Sequence, residues 1–246
     1  MAYKHIEITH NKKAAKIILP KVLELINPKS VIDVGCGTGS FLSVLQDLNV
    51  HDILGVEGDW LDRDHLYVNP DIILIRDIQK PFTIERRFDL VINLEVAEHL
   101  KESSADKFVN TLVNLSDVIL FSAAIPGQGG QNHINEQPTD YWVKKFEKYS
   151  YSFYDSLRME LWNEIDVDYW YKQNIFLVIK NGYENNNLKR PSQIKDIIHP
   201  ELFYMVLNQR NELNKKLLKL SWGAESPIIY FKLFIKSLLK FFRLKK

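Results

Sequence analysis

Apolar residues recur along the chain in two rhythms that take turns. From Lys12 to Ile26 the positions Ala14, Ile17, Ile18, Val22, Leu25 and Ile26 fall on one stripe at helical spacing, and Pro20 predicts a kink or two short helices. Asn27-Pro28 ends that segment. Val31 to Val34 reads as a short buried strand, apolar and β-branched apart from Asp33, and Phe41, Leu42, Val44, Leu45 and Leu48 return to helical spacing. Ile53 to Glu57 is a second strand, followed by a short helix with Trp60 early in it. Ile72 to Ile75, Phe88 to Leu94 and Val118 to Ala123 are three more strands. A helix from about Ser103 to Leu115 buries Phe108, Val109, Leu112 and Val113. Tyr151 to Trp162 and Ile175 to Lys180 make a closing antiparallel pair. Strands alternating with helices predict right-handed crossovers and a largely parallel sheet.

Beyond the last strand the pattern changes. Asn181 to Pro191 is polar, with Asn185 to Asn187 inside it, and reads as a linker. The expected organisation is a helical lead-in over 1–29, a sheet domain over 30–182, and a linker with C-terminal helices over 183–246. Glu201 to Leu220 is helical and charged, and Trp222 to Pro227 breaks it. From Ile228 to Lys246 there is no acidic residue. Lys232, Lys236 and Lys240, four apart, form one ridge of a helix with Arg243 close to its line, while Phe231, Phe234, Ile235, Leu238, Leu239, Phe241 and Phe242 cover much of the rest. Pro227 fits the first turn of that helix. Lysine at every turn argues against a span and leaves two readings of 227–246. It is either an interfacial helix on the inner face of a membrane, or a surface packed on the chain's own domain or on a second subunit of a homo-oligomer.

Composition narrows the class. The chain has 246 residues, 46% of them hydrophobic, enough to bury a full core. A formal net charge of +1 provides no global electrostatic case for a nucleic-acid partner. Cys36, the single cysteine, has no disulfide partner, and with no signal peptide apparent the expected compartment is the cytoplasm.

The chemistry gathers at Gly35, Gly37 and Gly39, between the first strand and the helix after it. A strand that turns through glycines into a helix sets backbone N–H groups beside the crevice at the carboxyl end of a sheet. No Lys follows Gly39 before Lys80, so this is not a phosphate loop, and Ser40 stands where a dinucleotide fingerprint has its third glycine. The second strand ends in Glu57, a carboxylate suited to a ribose diol. Strand, G-x-G-x-G, helix, strand and Glu in this order resemble class I S-adenosylmethionine-dependent methyltransferases, over about residues 30 to 180.

The resemblance implies a doubly wound, mostly parallel seven-stranded α/β sheet of Rossmann-like form, with S-adenosylmethionine as cofactor. It also implies a set of contacts. Asp33 arranges the glycine turn and the methionine end, while Gly35, Gly37 and Gly39 admit the amino-acid moiety to the backbone. Glu57, with Gly58 next to it, takes the ribose. Asp77 accepts the adenine amine, with the Ile78 N–H donating to a ring nitrogen. Trp60 lies on the adenine face or packs in the core, and Asn93 and Leu94 supply contacts from the facing strand.

On the acceptor side two stretches stand out. Leu94-Glu-Val-Ala-Glu-His-Leu100 recurs in similar form in methyltransferases of unlike substrates, so His99 is either structural or a base. The loop from Ile125 to Pro138 follows the fifth strand, and it carries glycines with Gln128, Gln131, Asn132, Asn135 and Glu136, side chains that hydrogen-bond hydroxyls. With Trp142 and Trp170 to Asn174 it resembles methyltransferases found among glycan- and polysaccharide-building enzymes. His133 is the leading candidate base, because an imidazole accepts a proton near neutral pH; the alternative is a loop His bonded to a backbone carbonyl. No His/carboxylate cluster at ligand spacing nominates a metal. The expected reaction is O-methylation of a sugar hydroxyl. A methyltransferase for another small molecule or a protein, and a non-catalytic cofactor-binding partner in a glycan-assembly complex, are the alternatives.

Overall fold

A computed structural model describes residues 11–61, 63–185, 188 and 194–243. The first ten residues of the lead-in, much of the linker between Asn186 and Gln193, and the last three residues of the tail lie outside the described residues.

Helix α1 (Lys13–Ile26) precedes strand β1 (Ser30–Val34), helix α2 (Ser40–Asp47), strand β2 (Asp52–Glu57) and strand β3 (Ile73–Ile75). Strand β4 (Leu90–Leu94), helix α3 (Ala105–Leu115) and strand β5 (Val118–Ser122) follow. Helix α4 (Thr139–Glu147), strand β6 (Tyr151–Tyr154), the short helices α5 (Arg158–Leu161) and α6 (Tyr169–Asn174), and strand β7 (Phe176–Lys180) complete the sheet domain. The seven strands lie in the order β3-β2-β1-β4-β5-β7-β6. β1 to β5 run parallel, and β7 is antiparallel to both β5 and β6. The order reverses at β1, where β2 lies on one side and β4 on the other, and this opens a crevice at the carboxyl ends of those strands.

Both faces of the sheet are covered, which is why its strands read as unbroken apolar runs. Successive side chains point to opposite faces, so each run feeds two cores. Val31, Ile53, Leu90, Ile92, Leu120 and Leu177 join Ala15, Ile18, Leu19, Val22, Leu42 and Leu45 from α1 and α2 on one side. Ile32, Val56, Val91, Ile119, Phe121 and Val178 join Phe108, Val109, Leu112, Trp142 and Phe146 from α3 and α4 on the other.

The structure departs from the sequence reading in three places. α1 is one helix with Pro20 inside it, not two short helices. Pro20 and Lys16 are both exposed, so the Lys16 carbonyl that loses its amide partner faces water. No α-helix follows Glu57. A turn at Asp59-Trp60 leads to a single 3₁₀ turn, Arg63–His65, because exposed Asp59, Arg63, Asp64 and His65 leave no apolar stripe to bury. The sixth strand stops at Tyr154, and Arg158, also buried, opens α5. Its guanidinium turns back to Asp155 (Nε–Oδ1 2.9 Å) and donates to the carbonyls of Lys195 and Gln173 at 2.9 and 3.2 Å.

The chain forms two compact units, residues 1–199 and 200–246. The first runs past the expected boundary at 182, since Asp196 accepts from the Thr139 N–H at 2.9 Å and the His199 N–H donates to Gln173 at 3.0 Å. The second holds α7 (Pro200–Ser221) and α8 (Pro227–Arg243). Gly223, with φ +67°, and the Ala224 N–H bonded to the Lys219 carbonyl at 2.9 Å end α7. The Tyr230 hydroxyl sits 3.1 and 3.0 Å from the Lys219 and Leu220 carbonyls and holds the turn into α8. Among the described residues no helix is long and apolar enough to cross a membrane.

Candidate active site

The glycine turn is built by backbone geometry. Gly35, Gly37 and Gly39 have φ of +84°, +53° and +77°, the left-handed region that side chains disfavour. A Cβ on Gly35 would lie 2.4 Å from Val96, and one on Gly39 would lie 2.6 Å from Val68. Two of the glycines are therefore required by the protein's own packing, in addition to any ligand. The Gly35 N–H bonds the Val56 carbonyl at 2.8 Å, which ties the turn to β2.

Glu57, at the end of β2, braces the same turn. Its Oε2 accepts the Gly37 N–H and its Oε1 the Gly58 N–H, each at 2.8 Å. With a further bond from Trp60, the carboxylate keeps one lone pair for a hydroxyl. Burial pushes the Glu57 carboxyl upward, opposed by the bonds from Gly58, Gly37 and Trp60. Asp33, buried in β1 with Glu57 close by, is pushed well up by burial and then by the Glu57 charge. The half-buried Trp60 ring lies directly on Gly58, where an added Cβ would come within 2.4 Å of the indole. Asn93 is fully buried and donates to the Val34 carbonyl at 2.7 Å, locking β4 to the end of β1, and Leu94 is half-buried at the strand's end. Asp77 sits in the turn after β3, bonded to the Gln79 N–H at 3.1 Å and to Lys80 at 3.0 Å, and Ile78 beside it is buried. Lys80 holds the Asp77 carboxyl below its ordinary range.

Across the crevice, the segments after β4 and β5 are clipped together. The Ile134 and Asn135 N–H groups both donate to the Glu98 carbonyl at 3.0 Å. This brings His133 onto His99, with ring centroids 4.9 Å apart and edge to face. Glu136 aligns His133, its Oε1 lying 2.9 Å from Nδ1. The Gly127 and Gly129 N–H groups hold Glu136 from the other side at 2.8 and 2.7 Å. Burial works against the Glu136 charge, but the bonds from His133, Gly127 and Gly129 outweigh it and hold the carboxyl below its ordinary range. Nδ1 is thus a donor to a carboxylate, which leaves Nε2 as the basic atom.

Glu95 and Glu98 are candidate site residues to which the sequence reading gave no role. Glu95 has φ +54°, unusual for a residue with a side chain. Its carboxylate accepts from Gln128 at 2.8 Å and from Asn174 at 3.1 Å, and Gln128 also accepts from Gln173 and Asn174 at 3.0 and 2.8 Å. Glu98 is fully buried, and among the described residues no donor meets either carboxylate oxygen in good hydrogen-bond geometry, although the Glu98 and Ala124 N–H groups ease its charge. Burial first and then the Glu95 charge push its carboxyl well up. Glu98, His99 and His133 each bring one ligand atom within 4.8 Å of the others, a set able to hold a divalent cation. This corrects the expectation of no metal cluster. The available signal was the pair of carboxylates three residues apart just past a strand end.

The polar loop is also partly reassigned. Gln128 and Asn135 are buried and Glu136 is bonded to His133 and the loop, so these three build the loop rather than offer bonds outward. Gln131 and Asn132 remain exposed. Trp142 is core, edge-on to Phe121 at 5.6 Å, whereas Trp170 is half-buried on α6.

A glycine turn at the reversal point of a seven-stranded sheet, braced by a strand-end carboxylate, defines a Rossmann-like class I methyltransferase fold. Residues 7–164 match the family model described as a methyltransferase domain, and the chain belongs to that family. It is an S-adenosylmethionine-dependent methyltransferase. Among solved structures, the sugar N-methyltransferase KedS8 from Streptoalloteichus matches with a TM-score of 0.53 at 14% identity, over 68% of this chain and 87% of that one. The methyltransferase domain of a bacterial Hen1 matches with a TM-score of 0.49 at 20% identity, over 68% and 97%. The magnesium protoporphyrin IX methyltransferase of Synechocystis, solved with bound S-adenosylmethionine, matches with a TM-score of 0.48 at 15% identity, over 68% and 80%. No protein of curated function matches the sequence.

Proposed function

We propose that the chain transfers the methyl group of S-adenosylmethionine to a hydroxyl of a sugar, on a glycan or a sugar-linked precursor. The glycine turn, Asp33 and Asn93 hold the methionine end, Glu57 the ribose, and Asp77 with the Ile78 N–H the adenine. S-adenosylmethionine, when bound, would supply an electrophilic methyl group to the acceptor oxygen, with the C–S electrons going to sulfur and the hydroxyl proton leaving. A hydroxyl is a poor nucleophile unless that proton is taken up. The observation that carries an oxygen acceptor is the His133–Glu136 pair, with Nδ1 fixed at 2.9 Å from the carboxylate and Nε2 left basic. In this reading His133 takes the proton and Glu136 stabilises the imidazolium. The exposed amides Gln131 and Asn132, together with Trp170, supply the polar and aromatic groups that sugars are held by.

The buried Glu98 carboxylate favours a second reading of the same atoms, in which Glu98, His99 and His133 would hold a divalent cation that would supply Lewis-acid activation of an acceptor hydroxyl. A screen of nucleotide sugars and glycans with labelled cofactor tests the acceptor. His133→Ala should lower turnover roughly 10²–10⁴-fold with cofactor affinity nearly unchanged. Turnover that survives a chelator keeps His133 as the base; turnover lost to the chelator and restored by Mn²⁺ assigns the cation. Full turnover by His133→Ala across pH removes both readings.

A further inference from the structure

We infer that helix α8 seats lengthwise on an anionic membrane surface. Its 17 residues span about 25 Å at 1.5 Å per residue, less than the ~30 Å of a bilayer core, and lysine recurs at every turn. What it has instead is two opposed faces. At about 100° per residue, Lys232, Lys236 and Lys240 make a narrow basic ridge, while Phe231, Phe234, Ile235, Leu238 and Phe241 lie on the far side. The three lysines are exposed, and so are those apolar side chains, at 64, 58, 39, 37 and 52%. A run of this size left in water is costly, at about 25 cal/mol per Å² of apolar surface.

Charge selects the occupant. No Asp or Glu occurs after Glu225, so a surface that pairs these lysines brings the negative charge itself. A second copy of the helix packed on the apolar face would leave both lysine ridges outside in water, with no acidic residue of the helix to pair them. It would also cover only a seam such as Ile228, Phe231, Ile235 and Leu238, leaving the exposed Phe234 and Phe241 at its margin. A nucleic acid would meet the charge but not the phenylalanines. Anionic headgroups over an acyl boundary satisfy both faces at once. Trp222, 80% exposed in the turn before α8, adds an aromatic of the kind that settles at headgroup level. The inference does not depend on which acceptor is methylated, though a sugar carried on a lipid would be met on the same surface.

Flotation of the full-length protein with vesicles of mixed neutral and anionic phospholipid tests it. The protein should float with anionic vesicles, less so at high salt, and hardly at all with neutral ones. Replacing Lys232, Lys236 and Lys240 together by Ala should weaken binding on the order of a hundredfold, at roughly fivefold per lysine. Phe231→Ser with Phe234→Ser should abolish it while S-adenosylmethionine affinity stays the same, which separates lost membrane binding from lost folding. Absence of flotation overturns the inference, as does flotation that both variants leave unchanged. A dimer by sedimentation that the phenylalanine variant dissociates, without vesicle binding, assigns the face to a second copy. RNA binding without vesicle binding assigns it to a polyanion.

Discussion

At the scale of single residues, the turn shows how a short motif is enforced from outside itself. Gly35 and Gly39 are flanked by residues that any helix or strand could contain, yet each stands under a valine, Val96 or Val68, that leaves no space for a methyl group. Glu57 binds the turn through Gly37, so its loss removes a brace as well as a ribose partner. Glu57→Ala should weaken S-adenosylmethionine binding by about 1.5–3 kcal/mol, the value of a charge-assisted hydrogen bond, as read by calorimetry. Unchanged affinity would detach Glu57 from the cofactor. Asp33 makes a pH prediction. Burial and the Glu57 charge raise its pKa in the folded state, so the folded chain holds this proton more tightly than the unfolded one. The resulting stability is present below the ordinary carboxylate range and is lost as pH rises through the raised value. In cofactor-free protein, Asp33→Asn should therefore gain stability relative to wild type as pH rises from 4 towards neutral, measured by urea unfolding. A difference that does not change with pH would show that Asp33 titrates normally.

At the scale of elements, propensity and tertiary context disagree most clearly in α1 and in the loop after β5. Pro20 breaks a rule of helix interiors, but it does so on the wet side of a helix whose other face, Ala15, Ile18, Leu19 and Val22, is fully buried. Burial of that stripe outweighs one lost backbone bond. Pro20→Ala restores the donor to the Lys16 carbonyl and should stabilise the chain by about 1–3 kcal/mol, raising the urea midpoint with an unchanged slope. A lower midpoint would mean that the ring itself packs. The loop from Ile125 to Pro138 reads in the sequence as a set of hydroxyl-binding side chains, yet in the structure Gln128, Asn135 and Glu136 are taken up inside the loop and only Gln131 and Asn132 are exposed. Gln128 is bonded to Glu95 and Asn174, Glu136 to His133 and the Gly127 and Gly129 N–H groups, and Asn135 accepts from Gln137, because buried amides and carboxylates are costly without partners. Their work is to place His133. Glu136→Gln, which keeps the shape and removes the charge, should lower turnover less than His133→Ala and leave cofactor affinity unaltered.

At the scale of the whole molecule, the residues assigned to S-adenosylmethionine, from Asp33 to Leu94, all lie in the unit that ends at His199. A chain stopped at His199 should bind S-adenosylmethionine within about twofold of the full-length protein by calorimetry, and a loss beyond tenfold would make the C-terminal helices part of the cofactor site. The sheet itself was legible because its strands are short apolar runs, separated by helical stripes and ended by glycine or a carboxylate. That grammar is local, and periods of 2 and 3.6 residues survive in any sequence that must bury both faces of a sheet. Strand ends were less legible: Asp155 and the buried Arg158 stop β6 through partners as distant as Lys195, which no window around Tyr154 contains.

By itself, then, the sequence determined the alternation of strands and helices, the glycine turn with its strand-end Glu57, the family and the cofactor, because each rests on residues a few positions apart. It also determined the basic and aromatic faces of α8, which follow from helical spacing alone. Only the tertiary structure decided what sits across the crevice. Glu98 and His99 leave β4 some thirty residues before His133, and two backbone bonds to the Glu98 carbonyl are what bring His133 back to them. Spacing along a chain carries no trace of such a meeting, since loop closure depends on where two strand ends lie in the sheet. The same holds for the full burial of Glu98, which is a property of the fold around it and not of the residues beside it.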